Sequence, residues 1–240
     1  MTEFNDIPVI ILAGGKGTRL SSVVADRPKP LAEVLGRPYI TFLLDQLVES
    51  GSSRVVISTG YKAQMIKKAL GSKYRSLRLS YAQEDEPLGT GGGIRLAMEQ
   101  LEGDIFLVLN GDSYCGADLS LYSKWFFKEL REASLLLTRM NDTSRYGRVY
   151  LDDSQQVTNF VEKGGNTGSG LINAGIYLLK RSVLSDVPVG YACSIEQNIF
   201  PGLIGKGLFG FPVNASFLDI GTPESYAEAK LFFKGIQETK

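Results

Sequence analysis

A chain of 240 residues with 26 basic and 26 acidic side chains has no net charge and no global field to draw it onto nucleic acid or an anionic membrane. It contains no histidine, which excludes Ser-His-Asp and Cys-His nucleophilic machinery, His-ligated zinc and any imidazole general base. Chemistry must run on carboxylates, amines, guanidinium groups, backbone amides or a bound metal. The two cysteines, Cys115 and Cys193, are too few and too far apart for a disulfide framework or a metal motif. With no cationic leader and no early apolar run near the roughly 20 residues of a membrane span, the expected setting is cytoplasmic, without a membrane partner.

Residues 8–13 form a short apolar run ending in Gly14-Gly15, the pattern of a strand buried on both faces that feeds a glycine loop. Ile40, Leu43, Leu44 and Leu47 recur at helical spacing, and 54–59 reads as the next strand. Ile66, Ala69 and Leu70 mark a second helix, 77–82 a strand, Ile94, Ala97, Met98 and Leu101 a third helix, and 105–109 another buried strand. This alternation predicts right-handed βαβ crossovers and a largely parallel sheet. Later apolar stretches at 134–140, 148–151, 157–161, 171–179 and 208–213 have fewer helices between them, which predicts antiparallel additions. A last helix is expected from Pro223 to about Lys234. The expected fold class is α/β: a Rossmann-like three-layer α/β/α domain with a mixed, mostly parallel central sheet. No linker or repeat interrupts the chain, so residues 1–240 are expected to form one domain with functional halves meeting near residue 115.

The segment Leu12-Ala13-Gly14-Gly15-Lys16-Gly17-Thr18-Arg19-Leu20 places three glycines directly after a buried strand. Glycine there lets backbone amides approach an anion, and Lys16 and Arg19 add positive charge. The pattern is neither a P-loop nor the dinucleotide fingerprint, and a turn serving only the backbone remains an alternative. Further on, Pro28-Lys29-Pro30 holds a lysine between two residues of fixed φ, which predicts a stiff, extended segment presenting Lys29. Such a cation suits a phosphate, although an exposed loop lysine is the plainer reading.

Together, the glycine loop and Pro28-Lys29-Pro30 resemble the signature of the sugar-1-phosphate nucleotidyltransferases, the nucleoside-diphosphate-sugar pyrophosphorylases. The resemblance runs from about Pro8 to Tyr226. It implies a nucleotide-binding half at about 1–115 and a sugar-phosphate-binding half at about 116–240. Glu84-Asp85-Glu86-Pro87-Leu88-Gly89-Thr90-Gly91-Gly92-Gly93 looks like the family's second nucleotide loop, where helix-start amides hold the base and ribose. The nucleotide-binding set so implied is Leu12, Ala13, Gly14, Gly15, Gly17, Thr18, Arg19, Glu84, Gly89, Thr90 and Asp112. Glu84 falls at the base-reading position, with Gln83 as the neighbouring candidate. A carboxylate accepts from both N1–H and the 2-amino group of guanine and repels the carbonyls of uracil, which favours GTP. An acidic surface turn is the alternative.

Asn110-Gly111-Asp112 follows a buried strand, which puts a carboxylate at the edge where ligands bind in α/β sheets. Asp219 precedes the last helix. The resemblance implies that Asp112 and Asp219 meet to hold Mg²⁺; without it they read as a turn former and a helix-start acid. On the sugar side, Gly147, Glu162, Lys163 and Asn173 match the family's contacting positions. Arg19, Lys29, Asp112 and Asp219 are then the catalytic set, with Lys29 and Lys163 on the reacting phosphates. The implied partners are a nucleoside triphosphate and a sugar 1-phosphate, with no nucleic acid; a homodimer is compatible with the chain. Among short members, the motifs most resemble the heptose 1-phosphate guanylyltransferases. Mannose-1-phosphate guanylyltransferases, N-acetylmuramate-1-phosphate uridylyltransferases and a non-catalytic nucleotide-sugar-binding subunit are the alternatives.

Overall fold

The computed structural model describes residues 4–129, 131–161 and 168–238. In chain order, β1 (Val9–Ala13) is followed by the hairpin β2 (Glu33–Val34) and β3 (Arg37–Pro38), α1 (Ile40–Glu49), β4 (Arg54–Thr59) and α2 (Ala63–Leu70). Next come β5 (Lys73–Tyr74), β6 (Leu77–Gln83), α3 (Gly89–Met98), β7 (Ile105–Asn110), β8 (Ser113–Cys115), α4 (Leu119–Phe127), β9 (Ala133–Met140) and β10 (Arg148–Leu151). The chain then forms β11 (Val157–Val161), β12 (Gly170–Lys180), a π-helical turn (Ile195–Ile199), α5 (Phe200–Leu203), β13 (Leu208–Val213), β14 (Phe217–Asp219) and α6 (Pro223–Glu238).

The main sheet runs β11-β10-β12-β7-β1-β4-β6-β5, with β9 also on β12 and β13 on β9. Its centre is parallel: β1 pairs with β4 and β7, and β4 with β6. β12 joins β7 antiparallel and starts the second-half additions. Alternation along β1 explains why its apolar run is continuous. Val9, Ile11 and Ala13 enter one core with residues of α1, α2, α4 and α6, while Ile10 enters the other with α3 and the helical segment around Phe200. Both faces are covered, as the predicted three-layer α/β class requires. Among the described residues, no helix is long and apolar enough to cross a membrane.

The chain leaves β1 towards β4 on one side, whereas β7 arrives on the other, so the carboxyl ends of β1 and β7 flank a topological switch point. The loops after these two strands diverge there and leave a crevice. At its base the Gly111 amide donates to the Leu12 carbonyl at 2.8 Å. A Cβ at Gly111 would lie 2.5 Å from that oxygen, so a side chain there would push the strand ends apart.

Three local features depart from the sequence reading. Residues Lys29–Leu31 form a 3₁₀ turn after an extended Pro28, where an extended segment was expected; proline tolerates a helix start because the N–H it lacks is unpaired there anyway. Helix α4 lacked an evident sequence signal because Trp125 and Phe127 blur its apolar stripe, but Asp118 caps it by accepting the Leu121 amide at 2.9 Å. The last helix extends to Glu238.

Helix α6 is anchored by Phe233, which is 1% exposed, stacks on Phe42 at 3.8 Å between centroids and meets Tyr39 and Tyr114 edge-on. Truncating this ring leaves a cavity among four other aromatic rings, those of Tyr39, Phe42, Tyr114 and Phe232. Phe233→Ala should therefore lower unfolding free energy by about 3–5 kcal/mol, read as a lower urea midpoint at unchanged m value.

Candidate active site

The crevice at the switch point is a cavity of about 390 Å³. Residues 12–19 line it, as do Lys29, Glu84, Gly89, Thr90 and Asp112, so the predicted nucleotide-binding set lies around one space. The main-chain amides of Gly15, Lys16, Gly17 and Thr18 donate to no protein acceptor among the described residues. Successive unpaired amides beside the exposed Lys16 and Arg19 make an anion-binding concavity.

Lys29 is carried into the cavity by its 3₁₀ turn, its Cβ close under Gly17, where a Cβ would sit 3.1 Å away. Its ammonium donates to Asp112 Oδ2 at 2.6 Å. The lysine side chain is 9% exposed and the aspartate 36%, so the cation is the more desolvated partner. Asp112 follows β7 and Lys29 follows the glycine loop, so this ion pair joins the two sides of the switch point.

Glu84 is buried, and Gln83, its neighbour on the strand, is exposed, as strand alternation requires. The Glu84 carboxylate accepts from the Ser58 hydroxyl and the Leu88 amide, each at 3.1 Å. It sits against two glycines: a Cβ at Gly14 would be 2.9 Å, and one at Gly93 2.7 Å, from its Oε1. Burial pushes the Glu84 carboxyl above the usual range, opposed by the Leu88 amide and the Ser58 hydroxyl. Both of those groups are neutral donors.

At the start of α3 the expectation of free helix-start amides needs correction. The Gly91 and Gly92 amides donate to the Cys193 carbonyl at 2.9 and 3.3 Å, because the segment after residue 190 packs across this helix end. The Thr90 hydroxyl is also engaged, donating to Glu196 Oε2 at 2.6 Å and accepting from the Ile195 amide at 2.9 Å. What Gly89 and Thr90 present to the cavity is therefore backbone.

A second cavity of about 380 Å³ shares Asn110 with the first and is lined by Gly147, Asn173, Ser194, Glu196 and Asp219 among others. Two of the predicted sugar-side residues, Glu162 and Lys163, lie outside the described residues. Asn173 Oδ1 accepts from the Gly175 amide at 2.9 Å and Nδ2 donates to the Tyr177 hydroxyl at 2.9 Å. Only part of its amide remains for a ligand. Asn110 Oδ1 is buried without a hydrogen-bond partner at the junction of the two cavities.

The two predicted metal acids sit on neighbouring elements. Antiparallel pairing of β14 with β8 sets Asp219 opposite Ser113, the residue after Asp112, and the Ile220 amide donates to the Asp112 carbonyl at 3.0 Å. One Asp219 oxygen accepts from the Gly221 amide. Burial, then the charges of Asp112 and Asp219, push up the phenol of Tyr39 beneath them. Sequence reasoning did not single out Tyr177, Ser194 or Glu196. Tyr177 is buried behind the cavity on β12, four residues after Asn173, and Ser194 and Glu196 reach the cavity from the N-cap and first turn of the π-helical segment, a position set by tertiary packing.

A crevice at a topological switch point, with a glycine loop of unpaired amides, a buried carboxylate and an adjoining polar cavity, is the arrangement a nucleotide-dependent transferase requires. The family model for nucleotidyl transferases matches residues 8–235, and the chain belongs to that family. It is 34% identical over 222 residues to a D-glycero-alpha-D-manno-heptose 1-phosphate guanylyltransferase of Aneurinibacillus thermoaerophilus, covering 92% of this chain and 96% of that protein. A mannose-1-phosphate guanylyltransferase of Mycobacterium tuberculosis is 33% identical over 226 residues; the match spans 92% of this chain but 63% of that relative's length. The crystal structure of HddC from Yersinia pseudotuberculosis complexed with GMP-PN superposes with a TM-score of 0.82 at 36% identity, covering 95% of this chain and 99% of that one.

The raised Glu84 carboxyl carries a stability consequence. Its favourable contribution to folding is present below the unfolded carboxyl value of about 4.3 and is lost as pH rises through the higher folded value. Glu84→Gln removes the charge at nearly constant shape. Its melting temperature relative to wild type should therefore be higher at pH 8 than at pH 4.5; a relative gain at the lower pH would contradict the burial argument.

Proposed function

We propose that this protein transfers GMP from GTP to a sugar 1-phosphate, releasing pyrophosphate, with D-glycero-alpha-D-manno-heptose 1-phosphate as the favoured acceptor. The observation that carries the nucleotide assignment is the buried Glu84 carboxylate, which has two neutral donors and borders the nucleotide cavity. Guanine offers N1–H and the 2-amino group side by side and satisfies such an acceptor, whereas uracil would set a carbonyl against it. The heptose assignment draws on the full-length match to the Aneurinibacillus relative. Mannose 1-phosphate is the second reading, supported by the Mycobacterium relative.

In this reading a sugar phosphate oxygen attacks the α-phosphorus, the bond from that phosphorus to the bridging oxygen breaks, and pyrophosphate leaves with the electron pair. The nucleophile is already anionic, so a chain without histidine needs no general base. Catalysis reduces to alignment and charge neutralisation. The glycine-loop amides and Arg19 hold the triphosphate, and Lys29 exchanges its Asp112 partner for a reacting phosphate. Lys163 is assigned to the same phosphates by family resemblance.

The donor set fits Mg²⁺. Two hard carboxylates, Asp112 in the turn between β7 and β8 and Asp219 at the end of β14, which pairs with β8, suit an ion that takes few protein ligands and completes its shell with phosphate and water. Asp112 and Asp219 would hold it, and when bound it would neutralise phosphate charge.

A pyrophosphate-release assay across four nucleoside triphosphates and a panel of sugar 1-phosphates tests the assignment. GTP with the heptose phosphate should give the highest kcat/KM; equal turnover of UTP, or turnover only with an acceptor outside the sugar phosphates, would refute it. Asp112→Asn should lower kcat by about 10²–10³. Chelation of divalent ions should abolish turnover of wild type and Mg²⁺ should restore it.

A further inference from the structure

Glu196 belongs to none of the sequence motifs, yet it stands in the second cavity at the centre of a hydrogen-bond array. Its Oε2 accepts from Thr90 Oγ1 at 2.6 Å and from Ser194 Oγ at 2.8 Å, and its Oε1 accepts from the Tyr177 hydroxyl at 3.1 Å. The same Tyr177 hydroxyl accepts from Asn173 Nδ2 at 2.9 Å. Burial, together with the charge of Glu196, holds the fully buried Tyr177 phenol in its protonated, donating form. One hydroxyl thus fixes an amide nitrogen and a carboxylate oxygen beside each other on one cavity wall.

The donor inventory shows what this pair can still do. Asn173 Nδ2 has two hydrogens and gives one to Tyr177; Glu196 Oε1 has two acceptor positions and receives one hydrogen there. A spare donor therefore lies beside a spare acceptor, both held by the same phenol. Neighbouring hydroxyls of a pyranose, one accepting and one donating, match that arrangement. The site lies across Asn110 from the nucleotide cavity, where an acceptor sugar must sit to bring its phosphate to the α-phosphorus.

We propose that Glu196 is a sugar-binding residue that accepts a hydroxyl of the acceptor sugar adjacent to the one contacted by Asn173, and that it selects neutral, vicinally hydroxylated sugar 1-phosphates. The inference rests on the guanylyltransfer reading and deepens it. A carboxylate whose protein partners are all neutral disfavours a second negative charge nearby, so acidic sugars are rejected at this wall. The Thr90 contact gives Glu196 a further property. The sugar-side acceptor is tied to the loop that borders the nucleotide, so its position is set before the sugar arrives.

The test is steady-state kinetics of wild type, Glu196→Gln and Tyr177→Phe with GTP, the best acceptor sugar 1-phosphate and its monodeoxy analogues, alongside melting temperatures. Glu196→Gln should raise KM for the sugar 1-phosphate by about 10- to 100-fold, the range for a hydrogen bond to a charged group, with KM for GTP near wild type. One monodeoxy analogue should lose a similar factor with wild type and lose little more with Glu196→Gln. Tyr177→Phe keeps the carboxylate but removes one donor that orients it, and should raise the same KM by a smaller factor; it carries the test if Glu196→Gln does not fold. An unchanged sugar KM, a parallel rise in both KM values with a lowered melting temperature, or equal losses for every deoxy analogue in both proteins would overturn the inference. Absence of turnover by wild type with every sugar 1-phosphate would overturn the functional reading and this inference with it, whereas an active wild type with indifferent variants would overturn the inference alone.

Discussion

The contact between the Gly111 amide and the Leu12 carbonyl closes the base of the crevice, and every group around it is placed relative to that contact. It holds the carboxyl ends of β1 and β7 side by side while their loops diverge, one into the glycine loop and the other into Asp112. The Lys29–Asp112 ion pair spans the same divergence from above. Two strands in parallel register thus fix a cationic, amide-lined wall opposite an acidic one, and the distance between them is set by backbone rather than by flexible side chains. This is the placement that a reaction depending on alignment requires.

Charge is distributed unevenly around this frame. Lys29 and Asp112 neutralise each other, and in the proposed reaction the lysine would exchange this partner for a phosphate. Glu84 has only neutral donors and is buried, so the folded protein bears its desolvation whether or not a nucleotide is present. A buried carboxylate without a cationic partner is a candidate functional group on physical grounds, and in the proposed function guanine supplies donors to it. The absence of histidine fits the same picture, because neither alignment nor base reading needs a group that titrates near neutrality.

The sequence was informative where chemistry and local conformation coincide. The buried run before Gly14 and the strand 105–109 before Asp112 could be read because apolar patterning and glycine placement are local signals, whereas Glu84 was placed by family resemblance and its spacing from Gly89. The 3₁₀ turn at Lys29 was less legible, since Pro-Lys-Pro is compatible with both an extended segment and a helix start. Glu196 and Tyr177 were invisible for a different reason. The significance of Glu196 lies in its contacts with the Tyr177 phenol, 19 residues away, and with the Thr90 hydroxyl, 106 residues away, which no local pattern shows. The occupation of the Gly91 and Gly92 amides by the Cys193 carbonyl is likewise a product of tertiary packing.

What joins the fold to the proposed chemistry is base selection by one buried carboxylate, and the most direct measurement is the ratio of kcat/KM for GTP to that for UTP in wild type and in Glu84→Gln. The Gln side chain keeps the shape and one acceptor but replaces the other with a donor. The account predicts that the ratio falls by at least about 10- to 100-fold, with UTP turnover gaining in absolute terms. A ratio that is unchanged between the two proteins, with both folded, would contradict it.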